Sequence, residues 1–260
     1  IPAAEKAAAK KKASPKKKAA AKKAPAKKAA VKKAPAKKAP AKKKAAAKKA
    51  PAPKAKAPAA KKKKKRDPGK KLYMLNTCIA CHGRNGKGAI MNFPNLAGQD
   101  LKYMIAQTKL IIAGKRTGSP DATGNPRSES MRGALITPEG KPRISNDHIK
   151  QIATWLSKME PAKPQAPEQA VDLKQIKQGA KLYKKKCRSC HGKGGLKPLK
   201  GYPIIAGQKR GYLIIQTKDI RDKKRTSGKS KTMAAVVKKM TDEQIETIAD
   251  YLSQIDRTAK

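Results

Sequence analysis

The chain has 260 residues, of which 66 are Lys or Arg and 17 are Asp or Glu, for a formal charge of +49, and aromatic residues make up only 3%. Mean hydropathy is −0.77, and no apolar run approaches the roughly 20 residues of a membrane-spanning helix, which excludes a transmembrane segment. Such a charge also excludes an ordinary globular enzyme, and the length holds one or two domains. The chain begins at Ile1 with no apolar leader, so it reads as an exported protein whose signal peptide has been removed.

Residues 1–66 hold 28 Lys/Arg, one acid (Glu5), 26 Ala and 8 Pro, a net +27. Imperfect Lys-Lys-Ala-Pro-Ala repeats recur, as at Lys22–Ala26 and Lys32–Ala36, and no aromatic residue interrupts them. Such a segment buries too little apolar surface to offset the entropy of ordering. Prolines such as Pro25, Pro35 and Pro51 break the helix that Lys and Ala favour. The expectation is a disordered basic tail with extended, polyproline-like stretches.

Residues 67–260 contain every aromatic, Cys and His of the chain and are still +22. A first lobe is expected at 67–159. In it a helix leads into Cys78-Ile79-Ala80-Cys81-His82, a turn spans Pro94–Gln99, and a second helix covers Leu101–Ala113. A last helix starts at the N-cap Ser145 and places Ile149, Ile152, Ala153 and Leu156 at helical spacing. A Pro/Ala/Gln-rich linker occupies 160–171, and a second lobe 172–260.

The second lobe repeats the first. At an offset of 109, Cys187-Arg188-Ser189-Cys190-His191 falls on the first Cys motif, and Pro203, Gln208, Gln216 and Arg225 fall on Pro94, Gln99, Gln107 and Arg116. All eight aromatics pair: Tyr73 with Tyr183, Phe93 with Tyr202, Tyr103 with Tyr212, and Trp155 with Tyr251. Helices are expected at Tyr212–Arg221 and after Thr241, where Gln244 completes a capping box. The first lobe carries one extra residue before its Cys motif and two extra segments, within Gly118–Ser130 and Leu135–Arg143, where Gly and Pro accumulate. No strand alternation is evident, so the fold class is all-α.

Cys-x-x-Cys-His is the attachment motif of c-type haem. Two thiols one helical turn apart can add to the two vinyl groups of one porphyrin, and the next residue then turns its imidazole to the iron. The macrocycle also supplies the core that a lobe with four aromatics lacks. Structural zinc sites pair their Cys-x-x-Cys knuckles within about 15–20 residues, far closer than here, and a thioredoxin motif needs a βαβ unit. Disulfides would leave both histidines without a role.

With these motifs and the Pro that follows each His by twelve positions, residues 67–260 resemble the dihaem cytochrome c4 family. The resemblance implies two tandem class I cytochrome c domains, each wrapped around a covalent haem c held by Cys78 and Cys81 or by Cys187 and Cys190. It implies that His82 and His191 ligate the irons, that the Pro94 and Pro203 carbonyls accept from their Nδ1–H groups, and that the haems face each other across the lobe interface. Met is the usual sixth ligand of such cytochromes. Among the methionines only Met131 and Met233 match each other across the repeat, between the middle and last helices where the family places that ligand.

Two His/Met-ligated irons leave no open position for a substrate. The expected function is therefore a soluble electron carrier between respiratory partners such as a quinol:cytochrome c reductase and a terminal oxidase, and not an enzyme. The alternatives are a dihaem peroxidase or an electron-accepting subunit of a larger dehydrogenase or haem assembly. The second lobe is the more basic, +14 over 160–260 against +8 over 67–159, which suits partners with acidic docking surfaces. Nucleic acid is disfavoured as a partner of the tail, because haem is attached to such motifs outside the cytoplasmic membrane. An anionic membrane surface fits better, at about 1 kcal/mol for each Lys near it. The expected location is the periplasm.

Overall fold

Asp67 starts the first helix by accepting, through its carboxylate, the N–H of Gly69 at 2.8 Å, while Pro68 stands where a missing N–H costs nothing. The computed structural model describes residues 67–88, 92–166, 170 and 172–259. The basic tail at 1–66, Met91 and four linker positions lie outside the described residues.

In the first lobe the helices are α1 (Pro68–Leu75), α2 (Cys78–His82), α3 (Leu101–Ile112), α4 (Arg127–Leu135) and α5 (Asn146–Ser157). In the second they are α6 (Leu173–Lys186), α7 (Arg188–His191), α8 (Arg210–Arg221), α9 (Ser230–Val237) and α10 (Asp242–Ser253). No strand forms among the described residues; two isolated bridges, Pro120 with Pro126 and Ile136 with Pro142, close the two extra segments of the first lobe. Both fall inside the ranges where the repeat predicts insertions.

The first and last helices of each lobe cross, α1 on α5 and α6 on α10. Tyr73 meets Trp155 at a centroid distance of 5.1 Å, and Tyr183 meets Tyr251 at 5.7 Å, so two of the aromatic pairs are the same core contact made twice. Ser145 and Thr241 cap α5 and α10, and Thr241 with Gln244 forms the capping box. The extra residue before the first Cys motif also has a visible consequence. In the second lobe α6 runs up to Cys187, whereas in the first the chain breaks between α1 and α2, with Thr77 in the left-handed region at φ 55°. One inserted residue turns a helix by about 100°, and the break absorbs that turn before the Cys motif.

Two expectations change in detail. The second helix of the second lobe starts at Arg210 rather than Tyr212, and Met131 and Met233 sit on helices of their own, α4 and α9, that the sequence did not announce.

Candidate functional site

A continuous cavity of about 470 Å³ runs through both lobes and the seam between them. Its wall includes Cys78, His82 and Met131 from the first lobe and Cys187, His191 and Met233 from the second. Cys81 is exposed and Cys190 half-buried; neither lines the cavity.

The histidines are placed by short helices. α2 and α7 each carry their His in the last position, buried at 7% and 6% exposure. The Tyr73 hydroxyl donates to the Gly83 carbonyl at 2.7 Å and Tyr183 to Gly192 at 2.6 Å, so the core aromatic of each lobe ties down the residue after the His. Phe93 and Tyr202 stand edge-on to the two imidazoles, at 6.2 and 6.0 Å between ring centroids. Nδ1 of His82 lies 3.3 Å from the Pro94 carbonyl oxygen and Nδ1 of His191 lies 3.1 Å from that of Pro203. That leaves Nε2 on each ring for another bond. Burial holds both imidazoles below the usual His range, against the opposing pull of the proline carbonyls. They are therefore neutral, as a metal ligand must be.

Burial also pushes the Cys78 thiol up to about 11 and that of Cys187 up to about 12. Such thiols are not the electropositive, low-pKa kind found in redox or hydrolytic catalysis. The residues fit a c-type haem in each lobe: the first thiol of the Cys motif, a neutral imidazole and a thioether line one apolar cavity, and the second thiol lies three positions on, outside its wall. Met104 and Met240 also line the cavity and are buried, but the repeat pairs them with Leu213 and Ile144, which carry no donor. They read as apolar wall.

The sequence reading did not anticipate the polar seam between the lobes. Arg116 of the first lobe donates to the Tyr212 hydroxyl at 3.0 Å and to Gln216 Oε1 at 2.9 Å in the second. Arg225 of the second, 7% exposed, donates to the Tyr103 hydroxyl at 3.4 Å and to Gln107 Oε1 at 2.9 Å in the first. Each contact is the repeat image of the other at offset 109. The signal was present, because these polar types stay identical between copies while apolar positions such as Met104 and Leu213 drift.

Residues 66–160 match the family model described as cytochrome c, and residues 174–252 match cytochrome c oxidase, cbb3-type, subunit III. A cytochrome c4 of Stutzerimonas stutzeri is 31% identical over 185 residues, covering 67% of this chain and 82% of that protein. A thiosulfate dehydrogenase electron acceptor of Thiomonas intermedia is 27% identical over 186 residues, covering 68% and 77%. Among solved structures, reduced recombinant cytochrome c4 from Pseudomonas stutzeri is similar with a TM-score of 0.57 at 29% identity, over 71% of this chain and 96% of that one.

Proposed function

The chain belongs to the dihaem cytochrome c4 family, and from that premise we propose that His82 with Met131, and His191 with Met233, are the axial pairs through which it carries electrons. It holds two covalent haem c groups and is an electron-transfer protein that works with other redox proteins. Among the described residues no helix is long and apolar enough to cross a membrane.

The observation that carries the ligand reading is the meeting of both imidazoles and both paired methionines on one cavity wall. Bound haem supplies a reversible ferric/ferrous couple, and the soft thioether of Met favours the ferrous state and a raised potential. The protein's part is to keep that couple apart from water and substrate. Cys78 and Cys81, and Cys187 and Cys190, hold the macrocycles by thioether bonds. The carbonyls of Pro94 and Pro203 orient the rings and raise their basicity. The apolar wall would limit solvent rearrangement around a bound haem, and His82 with Met131 and His191 with Met233 would hold its iron without leaving room for a substrate. A cavity continuous through the seam favours electron exchange between the two sites.

Met131→Ala and Met233→Ala test the assignment. Each is expected to abolish one of two low-spin ferric signals and to let the reduced protein bind one equivalent of carbon monoxide, whereas the unmodified protein binds none. Carbon monoxide binding without substitution, or a variant that keeps both signals, would exclude the pair concerned.

The docking surface centres on the loop beside the second Cys motif. Leu199, 58% exposed, donates its N–H to the Cys190 carbonyl at 3.0 Å, and Leu196 is 42% exposed. Exposed Lys193, Lys197 and Lys200 alternate with them along the chain, so one exposed segment carries both apolar and cationic side chains. This suits a redox partner with an acidic face, such as a quinol:cytochrome c reductase or a terminal oxidase, working in the periplasm. The dehydrogenase electron acceptor among the relatives makes a donor of that class a further candidate. Reversing the three lysines to Glu is expected to slow reduction by such a partner about tenfold or more at low salt, with the loss vanishing at high salt. A rate indifferent to salt would remove this docking face. Residues 1–66 add attraction to anionic lipid, and deleting them is expected to abolish sedimentation with phosphatidylserine vesicles; unchanged sedimentation would remove the tail from that role.

A further inference from the structure

Gln99 and Gln208 occupy the same place in the two lobes, immediately before the residues that cap α3 and α8. Both are buried, 5% and 6% exposed, and each carboxamide reaches across the seam. Gln208 Oε1 accepts the N–H of Asn95 at 2.8 Å, and Gln208 Nε2 donates to the Asn95 carbonyl at 3.0 Å. Gln99 treats Ile204 the same way, accepting its N–H at 2.7 Å and donating to its carbonyl at 2.8 Å.

Asn95 follows Pro94, and Ile204 follows Pro203. The N–H that Gln208 grips therefore belongs to the same peptide unit as the carbonyl that faces His82 Nδ1 at 3.3 Å. Likewise the N–H gripped by Gln99 shares a peptide unit with the carbonyl facing His191 Nδ1 at 3.1 Å. A peptide unit is flat and stiff, so holding its N–H end sets the direction of its C=O end.

We propose that Gln99 and Gln208 are crossed positioning residues: the glutamine of each lobe sets the orientation and basicity of the haem-ligating histidine in the other. The proposal rests on the axial assignment given above. Two effects act along the same line. A peptide whose N–H donates to a good acceptor is polarised, and its oxygen accepts more strongly in turn. A stronger acceptor at Nδ1–H makes the imidazole a more basic ligand, which favours ferric iron and lowers the potential. The carboxamides themselves are held in place, because each oxygen also accepts the N–H of the next residue, Asp100 at 2.9 Å and Lys209 at 3.0 Å. Simple adhesion between lobes would be served by contacts to any exposed peptide. Here each glutamine falls on the peptide whose carbonyl faces Nδ1 of the ligand histidine.

The test uses the full-length holoprotein with isotope-labelled methionine methyls, titrated electrochemically and followed by NMR. The hyperfine-shifted methyls of Met131 and Met233 report the two potentials separately. Gln208→Met keeps the volume and removes both hydrogen bonds to Asn95 along with the one to Lys209; it is expected to raise the potential read at Met131 and leave that at Met233 in place. Gln99→Met is expected to do the converse. Gln208→Glu keeps the acceptor and strengthens it with charge, so the potential at Met131 is expected to fall. It also carries the test if Gln208→Met does not hold its lobes together. A shift confined to the mutated lobe, equal shifts at both methyls, or no shift overturns the proposal, as does a Gln208→Glu change in the same direction as Gln208→Met. If neither methyl is hyperfine-shifted in the unmodified protein, the axial assignment itself falls and takes the proposal with it.

Discussion

Without its haems, as in a chain with Cys78, Cys81, Cys187 and Cys190 all replaced by Ala and purified free of the cofactor, the protein is expected to show no cooperative thermal transition. The magnitudes decide this. Empty apolar space in a protein costs about 24 cal/mol per Å³, so a cavity of about 470 Å³ corresponds to a cost on the order of 10 kcal/mol. A whole domain is stable by only about 5–15 kcal/mol. Water entering through the seam would lower the cost but would then solvate Leu213, Ile248 and the other core side chains of the wall. Helices α5 and α10 carry strong caps and should persist in part, so far-ultraviolet dichroism should survive better than near-ultraviolet dichroism. Replacing only Cys187 and Cys190 is expected to loosen the second lobe first, seen as faster hydrogen exchange in α6 to α10. A haem-free chain with a sharp melt and native near-ultraviolet signals would show that the side chains alone suffice.

Gly179→Ala is expected to destabilise the second lobe by about 2 kcal/mol or more, although helix propensity alone favours Ala by about 1 kcal/mol. A Cβ at Gly179 would stand 2.2 Å from the Thr247 carbonyl oxygen and 2.9 Å from Tyr251 Cβ. The first of these is backbone and cannot rotate aside, so α6 would have to move off α10. The displacement would reach the site, because α6 carries Tyr183, whose hydroxyl holds Gly192 next to His191. Gly69 occupies the same crossing in the first lobe, where a Cβ would meet the Gln151 carbonyl oxygen at 2.2 Å and Trp155 Cβ at 2.6 Å. The thermal midpoint of the holoprotein measures both, and at roughly 4–8 °C per kcal/mol for lobes of this size the drop is easily read. An unchanged or raised midpoint would show that the crossing yields without loss.

The aromatic pairs were legible because they are scarce: eight residues that all align across a repeat have little room for coincidence, and the structure places two pairs at the helix crossings, one beside the two histidines, and the pair Tyr103 and Tyr212 in the seam. The caps at Ser145 and Thr241 were legible because capping is local chemistry. Helices α4 and α9 were not. α4 reads Arg-Ser-Glu-Ser-Met-Arg-Gly-Ala-Leu, with no continuous apolar stripe, since only Leu135 is fully buried and Met131 faces the cavity. A helix of two or three turns that gives the core one end residue and turns its Met to the cavity, as α4 does with Leu135 and Met131 and α9 with Val237 and Met233, is too short for a periodic signature. The break at Thr77 was hidden for a different reason: the repeat disclosed an extra residue but not which backbone dihedral would take it up.

The sequence by itself determined that there are two haem sites, which residues attach the haems, and that charge is divided between a tail and a basic duplicated body. These follow from spacing along the chain, which covalent geometry and helical period convert directly into proximity. Only the tertiary structure decided how the two sites meet. Tyr, Gln and Arg on α3, α8 and the adjoining loops have the composition of a solvated face, and nothing in their local order says that Arg116 reaches Gln216, or Gln208 the peptide after Pro94, about a hundred residues away. Those contacts depend on how two folded surfaces dock, and the burial that makes them strong exists only after docking.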